Sequence, residues 1–316
     1  MSDNVNTTVN GTQPSTCSSD PTAEKIGQTF AYCLVFLVSL AGNTVIAIIV
    51  YKKKAMRKPI NFLIVNMAMS DLLFPIFLIP REMQNLYIDS WLIGGPLGQA
   101  FCKVARFLTN VSSAVSIQSM VLIAVGRFGA VVYPLRSPLI SSRLCLFFIL
   151  ATWIVAMTCL CPYFYSIKLV EYPEGLYCVL QWNQAFKSYY SLSLSVVGVF
   201  IPFVVIAILY IIILLKLKSQ ISPGEQLANA GKQRQQRERN VLKMAIAIVL
   251  GFAVCWLPFA MERSLFFFAS DIWSCGFQYF KTVAWFMTNA NCAINPCICF
   301  IFSRNYRKGL KTLLIS

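Results

Sequence analysis

The chain has 316 residues, of which 57% are hydrophobic and only 12% are charged, and its mean hydropathy is +0.65. Soluble globular domains carry about 25% charged residues, so this composition excludes an ordinary soluble protein and predicts a surface that faces lipid. The formal net charge of +15 does not indicate nucleic-acid binding, because the basic residues lie in short segments between long apolar runs.

Seven uncharged or nearly uncharged runs follow one another along the chain. They are residues 26–51, 60–80, 107–126, 144–167, 188–215, 244–261 and 282–302. Crossing a bilayer as a helix takes about 20 apolar residues, and every run is long enough. Backbone polar groups must be hydrogen-bonded inside lipid, so each run predicts a helix. The predicted fold class is an all-α membrane protein, a seven-transmembrane helix bundle that ends in a short C-terminal amphipathic helix.

The basic residues predict how this bundle is oriented. If residues 1–25 lie outside, most of the 27 Lys and Arg residues fall in loops on the inner side, where such residues accumulate. This predicts an extracellular tail over 1–25, a membrane bundle over 26–302, and a cytoplasmic amphipathic helix and tail over 303–316 that contacts membrane lipids. We expect a multi-pass protein of the plasma membrane, glycosylated at Asn6 and Asn10.

The second outer loop, residues 168–182, predicts a β-hairpin. Two arms rich in β-favouring residues flank the turn residues Pro173, Glu174 and Gly175. A hairpin at this position would cover one side of a cavity between the helices.

Polar groups inside the spans are the next informative feature, because they are expensive in lipid and therefore indicate function. Asp71 is the one acid deep in a span. Pro202, Pro258 and Pro296 interrupt the fifth, sixth and seventh runs, where proline removes a backbone hydrogen bond and kinks a helix.

Together these residues resemble the rhodopsin-like G-protein-coupled receptors, in particular the peptide-receptor branch. The resemblance covers residues 26–312 and rests on motifs that occur in the order of that family, namely Asn43, Asp71, Cys102, Arg127, Trp153, Pro202, Trp256, Pro258 and Asn295-Pro296. It implies a receptor rather than an enzyme, with an extracellular neuropeptide-like ligand. Such a receptor activates a heterotrimeric G protein by opening its cytoplasmic face.

The resemblance also assigns a sodium pocket to the middle of the bundle, so an allosteric sodium ion is the one cofactor expected. Its residues would be Asp71, Ser116, Asn291 and Asn295. Carboxylate, hydroxyl and amide oxygens suit a hard cation. The alternative is a protonated Asp71 in a polar water network.

A third set of residues would form the activation switch. The resemblance implies that Arg127 is held inactive by an acid on the sixth span, for which Glu238 is the candidate, and that the freed arginine then meets Tyr210. Glu238 could instead be a solvated loop residue. Below the ligand, Trp256 and Phe252 would relay the change, with Pro258 and Pro296 in the moving helices.

Two positions depart from the pattern of the family. Gly126 stands where an acid usually precedes the arginine, and Cys299 stands where a tyrosine usually follows Asn295-Pro296. A thiol is short and a weak hydrogen-bond partner. We therefore expect a looser inactive lock and a weaker active-state contact, with Tyr210 contributing more than usual.

The outer cysteines match disulfide positions. The resemblance implies a Cys102–Cys178 bridge, and the outer side is an oxidising compartment. Cys17 and Cys275 are the other two outer cysteines. They form either a second bridge or two free thiols.

The ligand site is expected at the outer rim of the bundle. Thr109 lacks the acid of the amine receptors, and Asn289 lacks the retinal-binding lysine of the opsins. Candidate ligand contacts are the charged, polar and aromatic side chains Arg81, Glu82, Arg106, Thr109, Phe259, Glu262, Arg263, Lys281 and Trp285. Arginine forks suit a peptide terminus or an acidic side chain. The alternatives are a lipid or another small non-amine ligand and, from a different class, a seven-span transporter or channel.

Overall fold

The structure is a computed structural model that describes residues 21–133, 139–219, 229–268 and 274–315. Within these ranges it leaves out the side chains of residues 184, 185, 187, 188, 218, 219, 229–241, 263, 264 and 266–268. The described chain is helical apart from one hairpin and short connections. In chain order the helices are α1 Pro21–Lys52, α2 Pro59–Asp71, α3 Ile79–Asn85, α4 Gly95–Val132, α5 Ser142–Ser166, α6 Gln184–Ser195, α7 Ile201–Ser219, α8 Asn229–Phe268, α9 Cys275–Phe302 and α10 Arg304–Ile315.

Six described stretches are long and apolar enough to cross a membrane. They are Pro21–Lys52, Pro59–Asn85, Gly95–Val132, Ser142–Ser166, Tyr189–Leu217 and Leu242–Glu262. The seventh predicted run forms α9, which falls outside this set because it carries several polar residues. Asn289, Asn291 and Asn295 are all buried, so α9 directs its polar face into the bundle. The predicted seven-helix bundle is confirmed, with one helix more polar than the others.

The observed helices are longer than the predicted runs, because charged residues continue a helix after its apolar part ends. In α4 the predicted run of 107–126 extends in both directions and takes in Lys103, Arg106 and Arg127. Two helices begin at serine caps. Ser141 accepts a hydrogen bond from the backbone N–H of Leu144 at the start of α5, and Ser274 does the same at the start of α9.

The second and fifth spans each contain a wider π-helical segment. Phe74–Leu78 lies between α2 and α3, and Val196–Phe200 lies between α6 and α7. Pro75 is within the first segment, and Pro202 follows the second. Proline cannot donate the regular helical hydrogen bond, and π segments are where helices absorb such a change.

The predicted outer hairpin is confirmed. Strand β1 (Ile167–Tyr172) pairs antiparallel with β2 (Gly175–Leu180) through a two-residue turn, and Tyr172 lies opposite Gly175. The Gln99 side chain accepts a hydrogen bond from the Leu169 N–H at 2.7 Å and donates one to the Ile167 carbonyl. One amide from α4 therefore fixes the hairpin above the bundle.

The outer surface of the bundle is apolar. Large apolar side chains stay exposed around the bundle, for example Phe30, Leu37, Phe147, Val197 and Leu215, as expected of residues that face lipid.

Candidate functional site

The end of the bundle next to the hairpin, which is the predicted outer end, holds a cluster of charged and aromatic side chains. The indole N–H of Trp285 in α9 donates a 2.8 Å hydrogen bond to a carboxylate oxygen of Glu82 in α3. Arg106 of α4 is close enough to Glu82 for the two opposite charges to attract. The Arg106 side chain is exposed beside Glu82 and Trp285, and we refer to the surface that these three side chains form as the cleft. The structure therefore brings together three of the predicted ligand contacts.

Other predicted contacts have partners within the protein. Arg81 donates to the backbone carbonyls of Asp89 and Ser90, and its guanidinium lies 4.9 Å from the ring centre of Trp91. It therefore stabilises the first outer loop. The Thr109 hydroxyl donates back to the carbonyls of its own helix, so its hydrogen points away from the cleft.

The remaining rim residues differ in exposure. Glu262 is buried near the outer end of α8, and Lys281 is exposed on α9. The Arg263 side chain lies outside the described residues.

A continuous row of aromatic rings leads inward from this cleft. Trp285 contacts Phe259, Phe259 contacts Trp256, and Trp256 stacks on Phe252 with ring centres 5.5 Å apart. Phe252 is fully buried and contacts Phe203 of α7. The predicted relay residues Trp256 and Phe252 are therefore in direct ring contact with the side chains at this end of the bundle.

A buried polar network lies in the middle of the bundle, around Asp71. Asp71 is 1% exposed and accepts hydrogen bonds from the Ser116 hydroxyl at 2.9 Å and the Asn295 amide at 2.8 Å. The Ser116 hydroxyl is also 3.0 Å from that of Ser70. Three spans therefore converge on one carboxylate.

Buried asparagine oxygens are a second feature of the bundle interior. The side-chain oxygens of Asn291, Asn295 and Asn43 are buried, and none has a hydrogen-bond partner among the described residues. Buried polar atoms of this kind are costly unless something else satisfies them. Two of them, in Asn291 and Asn295, belong to the predicted sodium pocket, and with the Asp71 carboxylate they are oxygen donors of the kind that suits a hard cation such as sodium.

A second buried cluster of hydrogen bonds surrounds Asn66, which the sequence analysis did not single out. The Asn66 amide donates to the hydroxyls of Ser119 and Thr152, and its oxygen accepts from the Trp153 indole at 2.8 Å. These bonds join the second, third and fourth spans. Asn66 lies five residues before Asp71, and its polarity inside an apolar run was the available signal.

Arg127 lies at the end of the bundle opposite the hairpin, which is the predicted cytoplasmic end, and the structure explains why Gly126 is tolerated beside it. A side chain at Gly126 would point at Ile60 and Ile140, at ordinary contact distances. An acid there would enter apolar surroundings, where an unpaired charge is unfavourable. Arg127 lies within electrostatic range of Tyr210, whose buried hydroxyl has no partner among the described residues. The Glu238 side chain lies outside the described residues.

The second departure, Cys299, lies beside a residue that the sequence analysis missed. Cys299 and Tyr306 of α10 are each 1% exposed and belong to the same buried cluster. The Tyr306 hydroxyl has no hydrogen-bond partner among the described residues. Burial raises the pKa of Tyr306 well above its ordinary range, so the hydroxyl keeps its proton at physiological pH. A tyrosine in the amphipathic segment, seven residues after Cys299, was the available signal.

The predicted Cys102–Cys178 disulfide is confirmed, and it links α4 to β2 across 76 residues of chain. Cys275 is disulfide-bonded as well. Cys17, its predicted partner, lies outside the described residues, as do Asn6 and Asn10, so that pairing and the glycosylation sites stay predictions.

Comparison with known proteins agrees with these observations. The family model described as the 7 transmembrane receptor (rhodopsin family) matches residues 42–298. The chain is 29% identical over 305 residues to a QRFP-like peptide receptor of Branchiostoma floridae, covering 93% of this chain and 78% of the relative.

Two vertebrate proteins show a similar likeness. The chain is 28% identical over 293 residues to neuropeptide Y receptor type 1 of Xenopus laevis, with 89% of this chain and 78% of the relative covered. It is 29% identical over 304 residues to neuropeptide FF receptor 1 of Rattus norvegicus, with 89% and 68% covered. The match covers nearly all of the helical bundle.

Proposed function

The chain belongs to the rhodopsin family of seven-transmembrane receptors, and on that premise we propose that it is a receptor for an extracellular neuropeptide-like ligand that activates a heterotrimeric G protein. As a member of this family it is a multi-pass membrane protein, and the family consists of receptors rather than enzymes. The observation that carries the proposal is the cleft formed by Arg106, Glu82 and Trp285, from which aromatic rings lead to Trp256.

The cleft suits one end of a peptide better than a small apolar ligand. The exposed Arg106 offers forked N–H donors to a terminal carbonyl or carboxylate, while Phe259 and Trp285 offer aromatic faces to a side chain. Glu82 already accepts the Trp285 indole N–H, so it orients both the ring and the guanidinium. Three relatives named as peptide or neuropeptide receptors support this class of ligand.

Signalling would follow from the row of rings. Ligand contact with Phe259 or Trp285 displaces Trp256, and the stacked Phe252 passes the displacement into the inner half of α8. Outward movement of α8 then opens the cytoplasmic face. Arg127, held by Glu238 in the closed state, would turn to Tyr210 in the open one.

Sodium binding at Asp71 would oppose this movement. Asp71, Ser116, Asn291 and Asn295 are the residues that would hold the ion, and a bound cation supplies the charge that stabilises the ionised carboxylate in the closed packing. Replacing sodium by choline in the assay buffer should raise peptide affinity in the wild type, and Asp71→Asn should remove that difference. A sodium effect that persists in Asp71→Asn would place the ion elsewhere.

The topology follows the distribution of basic residues. We propose that residues 1–25 lie outside the plasma membrane with Asn6 and Asn10 glycosylated, and that a Cys17–Cys275 bridge ties this tail to the outer end of α9. Residues 26–302 form the bundle. The segment 303–316, with α10 lying against the inner leaflet, completes the surface that meets the G protein.

The direct test is nucleotide exchange by a purified heterotrimeric G protein in nanodiscs that contain the full chain. The probes are synthetic neuropeptide Y and neuropeptide FF, the ligands named by two relatives, together with a panel of short amidated and free-acid peptides. We expect at least one peptide to accelerate uptake of labelled GTPγS. Arg106→Ala should lower its potency by about tenfold or more, since hydrogen bonds to charged groups contribute about 1.5–3 kcal/mol.

A matched control lies on the same helix. Lys103 contacts the ring of Phe164 with its ammonium group, outside the cleft, so Lys103→Ala should leave peptide potency unchanged. Stimulation by a lipid but by no peptide in the panel would favour the alternative ligand class. Ion flux through vesicles without any effect on nucleotide exchange would point to a transporter or channel.

A further inference from the structure

One buried polar group at the cytoplasmic end is a phenol that the proposed mechanism does not use. Tyr306 is among the largest fully buried side chains, and its hydroxyl has no hydrogen-bond partner among the described residues. A buried hydroxyl without a partner destabilises the fold by about 1–3 kcal/mol. Phenylalanine would fill the same volume without that penalty. We therefore expect the protein to have a second conformation in which the Tyr306 hydroxyl is hydrogen-bonded.

The neighbours of Tyr306 indicate which conformation that is. The Cys299 thiol lies within electrostatic range of the phenol and occupies the position where a larger polar side chain is missing. Tyr210 lies in the same buried cluster, and its hydroxyl also lacks a partner among the described residues. In this packed state two phenol hydroxyls, one from α7 and one from α10, therefore both lack a partner among the described residues within one apolar cluster.

We infer that Tyr306 replaces the side chain missing at Cys299, and that its hydroxyl hydrogen-bonds to that of Tyr210, directly or through one water, when the cytoplasmic face opens. A phenol both donates and accepts, so either tyrosine can supply the proton. The small Cys299 side chain leaves room for the phenol beside it. This inference rests on the proposed function, because the open state is the one that binds the G protein.

The helix that carries Tyr306, α10, packs against the end of α1. The helix is held by close packing, since a Cβ at Gly309 would lie 2.6 Å from Ile49. The Lys53 ammonium of the first inner loop donates to the Lys308 carbonyl and the Thr312 hydroxyl. Tyr306 therefore belongs to a helix anchored to α1 and Tyr210 belongs to α7, so the proposed contact would join two elements that are distant along the chain.

The test separates the open-state contact from a merely structural role. Tyr306→Phe keeps the ring and removes the hydroxyl. In ligand-free receptor its apparent Tm should be unchanged or higher, because the lost group has no partner in the closed state. Ligand-free GTPγS uptake by purified G protein should fall about three- to tenfold, the range expected for one hydrogen bond. Tyr51→Phe, at an exposed tyrosine on the cytoplasmic end of α1, is the matched control and should change neither quantity.

A double-mutant cycle with Tyr210→Phe identifies the partner. If the two hydroxyls bond to each other, the double variant should exchange nucleotide no more slowly than the slower single variant. Moving the phenol back, in Cys299→Tyr with Tyr306→Phe, should restore exchange to within about twofold of the wild type.

Three results would overturn the inference. One is unchanged exchange in Tyr306→Phe, and another is a fall in both Tm and exchange, which would make the hydroxyl structural. The third is multiplicative losses in the cycle, which would make the two tyrosines independent. Wild-type receptor that drives no exchange, with or without the peptide panel, would overturn the proposed function and this inference together.

Discussion

Gly42 of α1 packs against Pro296 of α9, and the destabilisation caused by a larger side chain at Gly42 can be worked out in advance. A Cβ added at Gly42 would lie 2.6 Å from the Cβ and 2.8 Å from the Cγ of Pro296, far inside ordinary contact. The proline ring is rigid, so Gly42→Ala must part the two helices by roughly 1 Å. Asn43 and Ser39 both donate to the Cys292 carbonyl across this interface, at 2.9 and 3.4 Å, and both hydrogen bonds would be lost.

The expected destabilisation combines two effects. Overpacking costs about 1–3 kcal/mol, and the two lost hydrogen bonds cost about 1 kcal/mol each, which gives about 3–5 kcal/mol in total. We expect the apparent Tm of purified Gly42→Ala receptor in nanodiscs to fall by several degrees or the variant to fail to accumulate. The strain also reaches Asn295, which holds Asp71, so peptide potency should fall as well.

A control on the same helix distinguishes packing from helix propensity. A Cβ at Gly27 meets no atom within 4 Å, so Gly27→Ala adds only the better helix propensity of alanine, about 1 kcal/mol. Its Tm should be unchanged or higher. A Gly42→Ala receptor as stable as the wild type would refute the reasoning, because it would mean that α1 and α9 do not approach this closely.

Two further changes probe the outer cleft. Trp285→Phe keeps an aromatic ring but removes the N–H that donates a hydrogen bond to Glu82. Peptide potency in the nucleotide-exchange assay should therefore fall by about tenfold. Equal potency would show that Glu82 needs no hydrogen-bond donor at this position. Cys178→Ser frees the hairpin from Cys102 and should cost about 2–5 kcal/mol in stability, with loss of surface expression measured by labelled antibody; normal expression and potency would show that noncovalent contacts, such as those of Gln99 and Trp91, hold the hairpin without the disulfide.

The predicted spans were largely recoverable from sequence because membrane insertion is a local requirement. A run of about 20 apolar residues must form a helix in lipid whatever the rest of the chain does. The one run that departs in composition, α9, was still found, because its buried asparagines are too few to interrupt the apolar pattern. The helix ends were not recoverable, since charged residues such as Lys103 extend α4 beyond its apolar part.

The candidate site also combines residues that the sequence indicated with contacts that only the structure revealed. Asp71, Trp256 and Cys102 could be picked out because charged, bulky or thiol side chains are conspicuous in an apolar run. Most hydrogen bonds between the side chains of the site could not be predicted. The Trp285–Glu82 bond joins residues 203 positions apart, and the Asn295–Asp71 bond joins residues 224 apart. The sequence carries no measure of how helices rotate about their axes, and that rotation determines which side chains meet.

The two departures from the pattern show the difference most clearly. The sequence alone indicated only that two side chains are missing, an acid at Gly126 and a tyrosine at Cys299. In the structure the first faces Ile60 and Ile140, and the second lies beside the buried phenol of Tyr306. The amino-acid sequence by itself determined seven membrane helices, an outer hairpin and the class of receptor. Only the tertiary structure decided what replaces a missing side chain, because side chains from separate helices come together there.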